Sequence, residues 1–523
     1  MQALEQELFA SGLPVEALME KAGLALAGRI LALGRRPPEA PAAAPGETEL
    51  GEALRRGGAL VLVGPGHNGG DGLVIARELH LEGVPVRIWC PFERRKPLTE
   101  AHWRHALWLG IPVLAGEPEP DDDALWIDAL FGNGQRRPPG EAIEELLRRR
   151  QTCRPGRLLA IDIPTGLCGD SGRLLGSSAA CSALTLALGL IRQGLVQDTA
   201  LEWVGRLERI ELGLPPRSLA ALPAGQPLGV GGPDAGAGSP RPAAPRAAGK
   251  YGRGRVLVIA GSHRYPGAAL LALSGASASG CGSLRAGLPQ PLESRIWSQL
   301  PHVVPQEAPL RAATLNRLDA VLVGPGLGPR GSGAWLEGQG GDDQDAWQQL
   351  QAFSGPLVLD ADGLNRIDAD WLTGRAGPTW ITPHAGEFGR LFPDLADLPP
   401  LEAAPIAAQR CGAGVLLKGA RTVVAAADGR RWQLLNSCPA TARAGLGDVL
   451  AGYAAGLAAR AVAAGPPQAA QPDAAVLALA ALDHALAGCR TAAARGPGGA
   501  TPEAVAQELQ HAGAGVSNSD PTT

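Results

Sequence analysis

ATARAGLGDVLAGYAAG, residues 440–456, sets a glycine-rich turn against a long helix of small residues, with a single acid, Asp448, at the junction. Unpaired N–H groups and the positive end of the dipole gather at a helix N-terminus. Gly445 and Gly447 can therefore let backbone approach a phosphate while Asp448 stands beside it as a base. No GxxxxGK[ST] stretch occurs in the chain, so a nucleotide must be held in another way. Taken alone, such a turn is more often a loop-to-helix junction with an acidic cap. Four upstream segments argue for more: AVLVGPGLG (320–328), LVLDADGLN (357–365) with Asp360, Asp362 and Asn365, ITPHAGEFGRL (381–391) with His384 and Glu387, and GVLLKGA (414–420) with Lys418 and Gly419. Each is an apolar run that stops at glycine or polar residues, the pattern of parallel strands whose C-terminal ends line one crevice.

In this order and spacing, the segments resemble the ADP-dependent NAD(P)H-hydrate dehydratases of the ribokinase-like superfamily. The match runs from KYGRGRVLVIAGSHRYPGAA, beginning at Lys250, through the helix after Asp448, and weakly on to TPEAVAQEL at 501–509. The resemblance implies a ribokinase-like α/β/α domain in which Asp448 takes a hydroxyl proton and the Gly445–Gly447 backbone holds a transferring phosphoryl group. It assigns Lys418, Gly419, Ala420, Arg421, Thr422 and Gly447 to the adenine nucleotide, and Ala268, Gly326, His384 and Asp448 to the hydrate. ADP is the implied phosphoryl donor, with a magnesium ion. Before Asp448, a TGGSGD-like run is usual; here Arg443 to Asp448 reads RAGLGD, so a hydroxyl near the phosphate is lost at Leu446.

The first half carries ALVLVGPGHNGGDGLVIARELHLEGVPVRIW (59–89), which reads strand, glycine turn, helix, strand. Gly64, Gly66 and Gly69 satisfy GxGxxG and invite a Rossmann dinucleotide reading. The second strand, however, ends in Trp89, Cys90 and Pro91 where an acid for the ribose is wanted, which disfavours a conventional NAD-dependent dehydrogenase. LWIDALFGNG (125–134) ends at Asp128, and LLAIDIPTGL (158–167) at Asp162 and Thr165. As parallel strands these would bring Asn68, Asp128, Asp162 and Thr165 to one edge. Asn and Thr oxygens with a single carboxylate suit a hard cation and not zinc.

LMEKAG (18–23), VLVGPGHNGGDG, DALFGNG and AIDIPTGLCGDSG together resemble the NAD(P)H-hydrate epimerases over roughly residues 1–220. An epimerase-like half followed by a dehydratase-like half is similar to the bifunctional NAD(P)H-hydrate repair enzymes of prokaryotes. This implies potassium ligation by Asn68, Asp128 and Thr165. It also implies a substrate wrapped by His67, Asn68, Gly69, Gly70 and Asp71 and by Gly132, Asn133, Gly134, Gln135, Arg136, Arg137 and Pro138, with Asp162 facing the reacting ring. His67 stands where the pattern has a first asparagine, and Thr165 where serine is usual. The implied substrates are the hydrates NADHX and NADPHX, with ADP.

The fold class expected is therefore α/β in two domains, an N-terminal Rossmann-like three-layer α/β/α domain and a C-terminal ribokinase-like one. Residues 1–222 form the first and 250–511 the second. The stretch 223–249, rich in Pro, Gly and Ala without apolar period, reads as a solvated linker. A loop is expected at 36–47 and another near Gly340, and residues 512–523 read as a disordered tail. At 523 residues with 45% hydrophobic composition the chain can bury two cores, and a net charge of -4 argues against nucleic acid held by general electrostatics. Of 47 lysines and arginines only Lys21, Lys96, Lys250 and Lys418 are lysines, and two of these border the nucleotide motifs. Glu5 and Glu7 oppose a leader peptide, and apolar runs such as AAVLALAALDHALAG are short or interrupted by charge, so no membrane span is expected. Eight cysteines without CxxC spacing imply neither a disulfide framework nor zinc, and a reducing cytoplasm follows. A homo-oligomer is expected. The alternative is a ribokinase-like kinase of a hydroxymethyl compound fused to a non-catalytic Rossmann-like interaction module; intact Asp128 and Asp162 argue for catalysis.

Overall fold

The computed structural model describes residues 1–35, 47–222, 225–236, 238–243, 249–338, 342–465 and 472–513. Most of the loop expected at 36–47, part of that near Gly340 and the tail from 514 lie outside the described residues. The chain forms two compact units, Met1–Pro223 and Ala224–Thr523.

The first unit is built on six parallel strands: β1 (Ala59–Val63), β2 (Val86–Trp89), β3 (Leu125–Ala129), β4 (Leu158–Ile161), β5 (Leu184–Leu188) and β6 (Arg206–Ile210), in the order β2-β1-β3-β4-β5-β6. Side chains alternate across a strand, so β1 feeds two cores. Ala59, Val61 and Val63 pack with Leu26 and Ile30 of the Val15–Arg35 helix and Leu73 of the His67–Leu81 helix. Leu60 and Leu62 pack with Ile143 and Leu146 of the Glu141–Cys153 helix. Helices thus cover both faces, which is why the strands are apolar throughout. The chain leaves β1 outward for β2 and returns on the other side as β3, and this reversal opens a crevice at the C-terminal ends of β1 and β3.

The second unit has ten strands: β7 (Leu228–Val230), β8 (Arg255–Ile259), β9 (Ser283–Gly287), β10 (Val304–Pro305), β11 (Ala320–Val323), β12 (Leu357–Leu359), β13 (Thr379–Ile381), β14 (Gly414–Leu417), β15 (Val423–Ala425) and β16 (Arg431–Leu434). Their order is β10-β9-β8-β11-β12-β13-β14-β15-β16-β7. From β10 to β14 all pairings are parallel; β15 is antiparallel to both its neighbours. Val256 and Val258 face one core with Val449 and Tyr453, while Leu257 and Ile259 face the other with Trp347 and Leu391. The helix Leu446–Ala464 lies so close to Pro266–Ala278 that a Cβ at Gly452 would fall 1.9 Å from the Ala272 carbonyl oxygen, and one at Gly275 2.0 Å from that of Val449. Small residues at this seam let two backbones touch and hold the first turn of the Leu446–Ala464 helix in place. This helix and Ala474–Arg495 are long and apolar enough to cross a membrane, which the reading of AAVLALAALDHALAG understated; both are mostly buried in the unit's core.

The stretch 223–249 departs from the linker expectation. Its Leu228–Val230 pairs in parallel with Trp432–Leu434 as the sheet's last strand. Farther on, Arg241 Nη2 lies 2.7 Å from Asp483 Oδ1, Tyr453 Oη donates to Asp483 Oδ2 at 2.8 Å, and Arg460 Nη2 donates to the Pro242 carbonyl at 2.8 Å. A three-residue ladder and one buried ion pair need no apolar period, so composition could not reveal them.

Candidate functional sites

In the second unit, the parallel strands end together. After β11, Gly324, Gly326 and Gly328 all have positive φ, and a Cβ at Gly324 would fall 1.7 Å from the Asp360 carbonyl oxygen, so this turn requires glycine. A Cβ at Gly326 would fall 2.6 Å from that of Ala268, which places those two expected hydrate contacts side by side. β12 delivers Asp360, β13 Thr382 and His384, and β14 Lys418. Asp360 is buried; its Oδ1 pairs with Lys418 Nζ and accepts from Thr382 Oγ1 at 2.8 Å. Lys418 Nζ also lies 3.1 Å from where a Cβ at Gly447 would stand, which joins the β14 end to the glycine turn.

The cap of the Leu446–Ala464 helix is Gly445, with φ +92 and no side chain to bond, and Asp448 sits within the first turn. Asp448 is thus not the acidic cap of the plainer reading. Burial, then the negative Asp360, pushes its carboxyl up to about 7; Lys418 opposes, and Asp362 and Glu387 add to the rise. A carboxyl held near neutrality can take a proton without a large driving-force penalty. Leu446 is 3% exposed and packs in the core, so its side chain does not face a phosphate.

Other expected contacts have structural work of their own. His384 caps the Ala385–Leu391 helix, its Nδ1 accepting from Gly386 N at 3.0 Å while its own N–H donates to Glu387 Oε2 at 2.9 Å. Gly419 and Ala420 are exposed at the β14–β15 turn, Thr422 is half-buried, and Arg421 is buried. Asp362, one of the acids ending LVLDADGLN, has its Oδ2 accepting from Gly328 N at 2.7 Å and so shapes the glycine turn. One group was missed. His484 is held neutral, burial and then Lys418 pushing it down to about 4, and its Nε2 is buried with no hydrogen-bond partner. Its neighbourhood with Lys418 is a tertiary fact that no local motif signals.

In the first unit the crevice between β1 and β3 gathers the expected residues in two pairs. Asp128 is fully buried; its Oδ1 accepts from Thr165 Oγ1 at 2.8 Å and Leu130 N at 3.2 Å, and its Oδ2 from Thr165 N at 2.8 Å. Burial pushes Asp128 up to about 6 against these bonds. Asp162 follows β4 with φ +61, and its Oδ2 accepts from Asn133 N at 2.9 Å. A Cβ at Gly132 would fall 2.9 Å from Asp162 Oδ2 and 3.0 Å from Asn68 Oδ1, so those two side chains converge over Gly132. Phe131 N donates to Thr165 Oγ1 at 3.2 Å, and the Phe131–Gly132 backbone thereby joins the pairs. Asn68 Nδ2 is buried without a partner, a polar group awaiting one. These oxygens fit a weakly charged hard cation, and among the described residues no cluster of three His, Cys, Asp or Glu suits a transition metal.

Within His67–Asp71, only His67 and Asn68 reach outward. Gly69 packs on Gly64, Gly70 on Met19, and Asp71 is buried. Gln135 is buried too, its amide spanning the Pro164 carbonyl at 3.1 Å and Gly166 N at 2.8 Å, so it braces the loop. Gly134, Arg136, Arg137 and Pro138 lie on or near the surface, with Arg136 paired to Asp170 at 3.0 Å. Glu5, from the first helix, was missed as a site residue. Burial raises its carboxyl, Arg192 opposes and Asp162 adds. Asp162 is likewise raised by burial against Arg192, and Asp71 well above its usual range by burial, Asp162 and Glu5. Asp162 thus acts on both Glu5 and Asp71, so the three carboxyls are electrostatically linked.

The family described as NAD(P)H-hydrate dehydratase matches residues 256–511, and that described as YjeF-related protein N-terminus matches 15–194. The bifunctional NAD(P)H-hydrate repair enzyme of Gloeobacter violaceus is 42% identical over 471 residues, 86% of this chain and 86% of that protein. The chain belongs to the bifunctional NAD(P)H-hydrate repair enzyme family. Its relatives of that name in Synechocystis sp. and Escherichia coli K12 are 39% and 32% identical, over 87% and 75% of this chain and 84% and 74% of theirs. Among solved structures, the ADP/ATP-dependent NAD(P)H-hydrate dehydratase of Bacillus subtilis, co-crystallised with ATP/Mg2+, is 27% identical with a TM-score of 0.43, covering 52% of this chain and 92% of that one. Membership across both halves favours repair over the kinase alternative.

Proposed function

We propose that the first unit interconverts the R and S epimers of hydrated NADH and NADPH, and that the second dehydrates the S epimer with ADP, releasing NAD(P)H, AMP and phosphate. The observation that carries this reading is Asp448, a carboxyl raised to about 7 in the first turn of a glycine-capped helix, with Lys418 against the same turn. Asp448 takes the proton of the hydrate hydroxyl as that oxygen attacks the β-phosphorus of ADP and AMP departs. The phosphorylated carbon then loses phosphate, a far better leaving group than hydroxide, driven by the ring nitrogen's lone pair. The N–H groups at Gly445–Gly447 and the Lys418 charge stabilise the transferring phosphoryl, so catalysis here is positioning and electrostatics. Asp360, Asp362, Glu387 and Asp448, a gathering of acids beside the turn, would hold a magnesium ion, which would neutralise charge on the nucleotide phosphates.

In the first unit, Asp162 moves the proton needed to open and reclose the hydrated carbon, its proton affinity raised by burial. Asn68, Asp128 and Thr165 would hold potassium, which supplies a fixed positive charge to orient the substrate. His67, Asn68 and the Gly132–Pro138 loop bind the nucleotide portion of the hydrate, and the Lys418–Thr422 turn binds ADP through its backbone. The protein acts in the cytoplasm as a homo-oligomer, tested by fractionation and sedimentation. The deciding experiment gives purified protein a mixture of both hydrate epimers with ADP. Complete recovery of the reduced-nicotinamide absorbance requires both units, half recovery leaves only the second, and none rejects the reading.

A further inference from the structure

Ten residues before Asp448 lies Cys438, at the N-terminal boundary of a short 3-10 turn, Pro439–Thr441, that leads into the glycine turn. The Cys489 thiol, on the Ala474–Arg495 helix, hydrogen-bonds to the Cys438 sulfur. The surrounding backbone is equally close: a Cβ at Gly488 would fall 2.3 Å from Thr441 Cγ2, and Thr441 N and Oγ1 donate to the Cys438 carbonyl at 3.0 and 2.7 Å. On its far side the segment is tied by Arg443 Nη1 to the Gly498 carbonyl at 3.0 Å. Both cysteines are half-buried and free of any disulfide. The mechanism above uses neither.

We infer that Cys438 and Cys489 form a reversible disulfide that draws the approach to the phosphate turn onto the Ala474–Arg495 helix and slows dehydration. The oxidant is a hydroperoxide. The Cys438 thiolate attacks its terminal oxygen, the O–O bond breaks, the other oxygen leaves as alcohol or water after protonation, and a sulfenic acid remains. The Cys489 sulfur then attacks that sulfur, the S–S bond forms, and hydroxide leaves with the Cys489 proton as water. In sum, two thiols are oxidised by two electrons and the peroxide is reduced. The order of attack follows the local charges. The Cys489 S–H and the Ala440 and Thr441 N–H groups point at Cys438 and favour its thiolate, whereas Cys489, as the donor of that bond, is held protonated. A covalent bond is shorter than the hydrogen bond it replaces. The helix is locked in the core by Ala487 and Thr491, so the loop must yield.

The effect on turnover rests on the reading of Gly445–Asp448 as the phosphoryl site; bond formation does not. The full-length protein is treated with hydrogen peroxide, alkylated without reduction and digested with trypsin, which yields peptides 432–443 and 461–490 with one cysteine each. The expected result is a linked pair of these peptides. Dehydratase turnover is expected to fall roughly tenfold or more, since misplacement by about 1 Å can cost on the order of 100-fold. A dithiol should restore it, and epimerisation should be unaffected. Cys438→Ser and Cys489→Ser should keep full reduced-state turnover and lose the peroxide response. Absence of the linked peptides, linkage with unchanged dehydration, or an undiminished response in both serine variants would overturn the inference. No ADP-dependent recovery in the fully reduced protein would instead reject the phosphoryl-site reading.

Discussion

Replacing Asp448 by asparagine should separate activity from stability in opposite directions. In the folded protein burial and the neighbouring acids push its carboxyl up from the ordinary 3.8 to about 7. At about 1.4 kcal/mol per tenfold change in proton affinity, that rise amounts to about 4 kcal/mol as an upper bound, since a half-buried group is partly screened. The sign follows from proton uptake. Between about pH 4 and 7 the unfolded chain has lost the proton and the folded chain still holds it, so ligand-free stability falls as pH rises through this window and stays low above it. Asp448→Asn removes the titration, keeps the shape and leaves the Gly445 cap untouched. The variant should therefore be more stable than the parent at pH 8, by up to about 4 kcal/mol, and the gain should shrink towards zero near pH 4. Urea unfolding at pH 4.5, 6 and 8 measures this. Over the same range, parent dehydration of the S hydrate at saturating ADP should rise with an apparent pKa near 7, while the variant should be slower by on the order of 100- to 10,000-fold yet still bind ADP and epimerise. A variant that dehydrates at a substantial fraction of the parent rate refutes the base assignment, and a pH-independent stability difference refutes the electrostatic argument beneath it.

Arg241→Ala should leave Asp483, 2% exposed, with Tyr453 as its remaining partner; a loss of about 3 kcal/mol in the second unit's urea unfolding is expected, where a solvated linker would give none. Leu446→Ser, instead of restoring a phosphate contact, should open a core cavity and cost about 3 kcal/mol, with ADP affinity measured by calorimetry unimproved. Asp162→Asn tolerates the positive φ as aspartate does and should slow epimerisation on the order of 100- to 10,000-fold while dehydration of the pure S hydrate continues; normal epimerisation above the spontaneous rate would remove Asp162 from the chemistry. Asp128→Ala strips three donors of their acceptor and should lower stability by about 3 kcal/mol, and the rise in Tm that potassium gives over lithium in the parent should vanish.

Much of this was legible along the chain. Alternating strands and helices, glycine turns with polar residues at strand ends, and the GLGD junction each express local backbone chemistry, so they read directly as two α/β units and place Asn68, Asp128, Asp162, Thr165, Lys418 and Asp448 at strand ends or a helix start. Family resemblance then supplied the reaction. What only the tertiary structure decided involves contacts between residues far apart in sequence. Glu5, which served in the sequence only to argue against a leader peptide, acquires its raised carboxyl from burial and then from Asp162, and His484 its neutrality from burial and then from Lys418. Leu446 faces the core rather than the phosphate, Gly69 and Gly70 serve helix packing, and Leu228–Val230 joins a sheet whose partner strand lies two hundred residues on. Composition and period describe what a segment can form by itself. Burial, shared fields and strand pairing depend on which distant segment the fold brings beside it, and the local pattern carries no record of that neighbour.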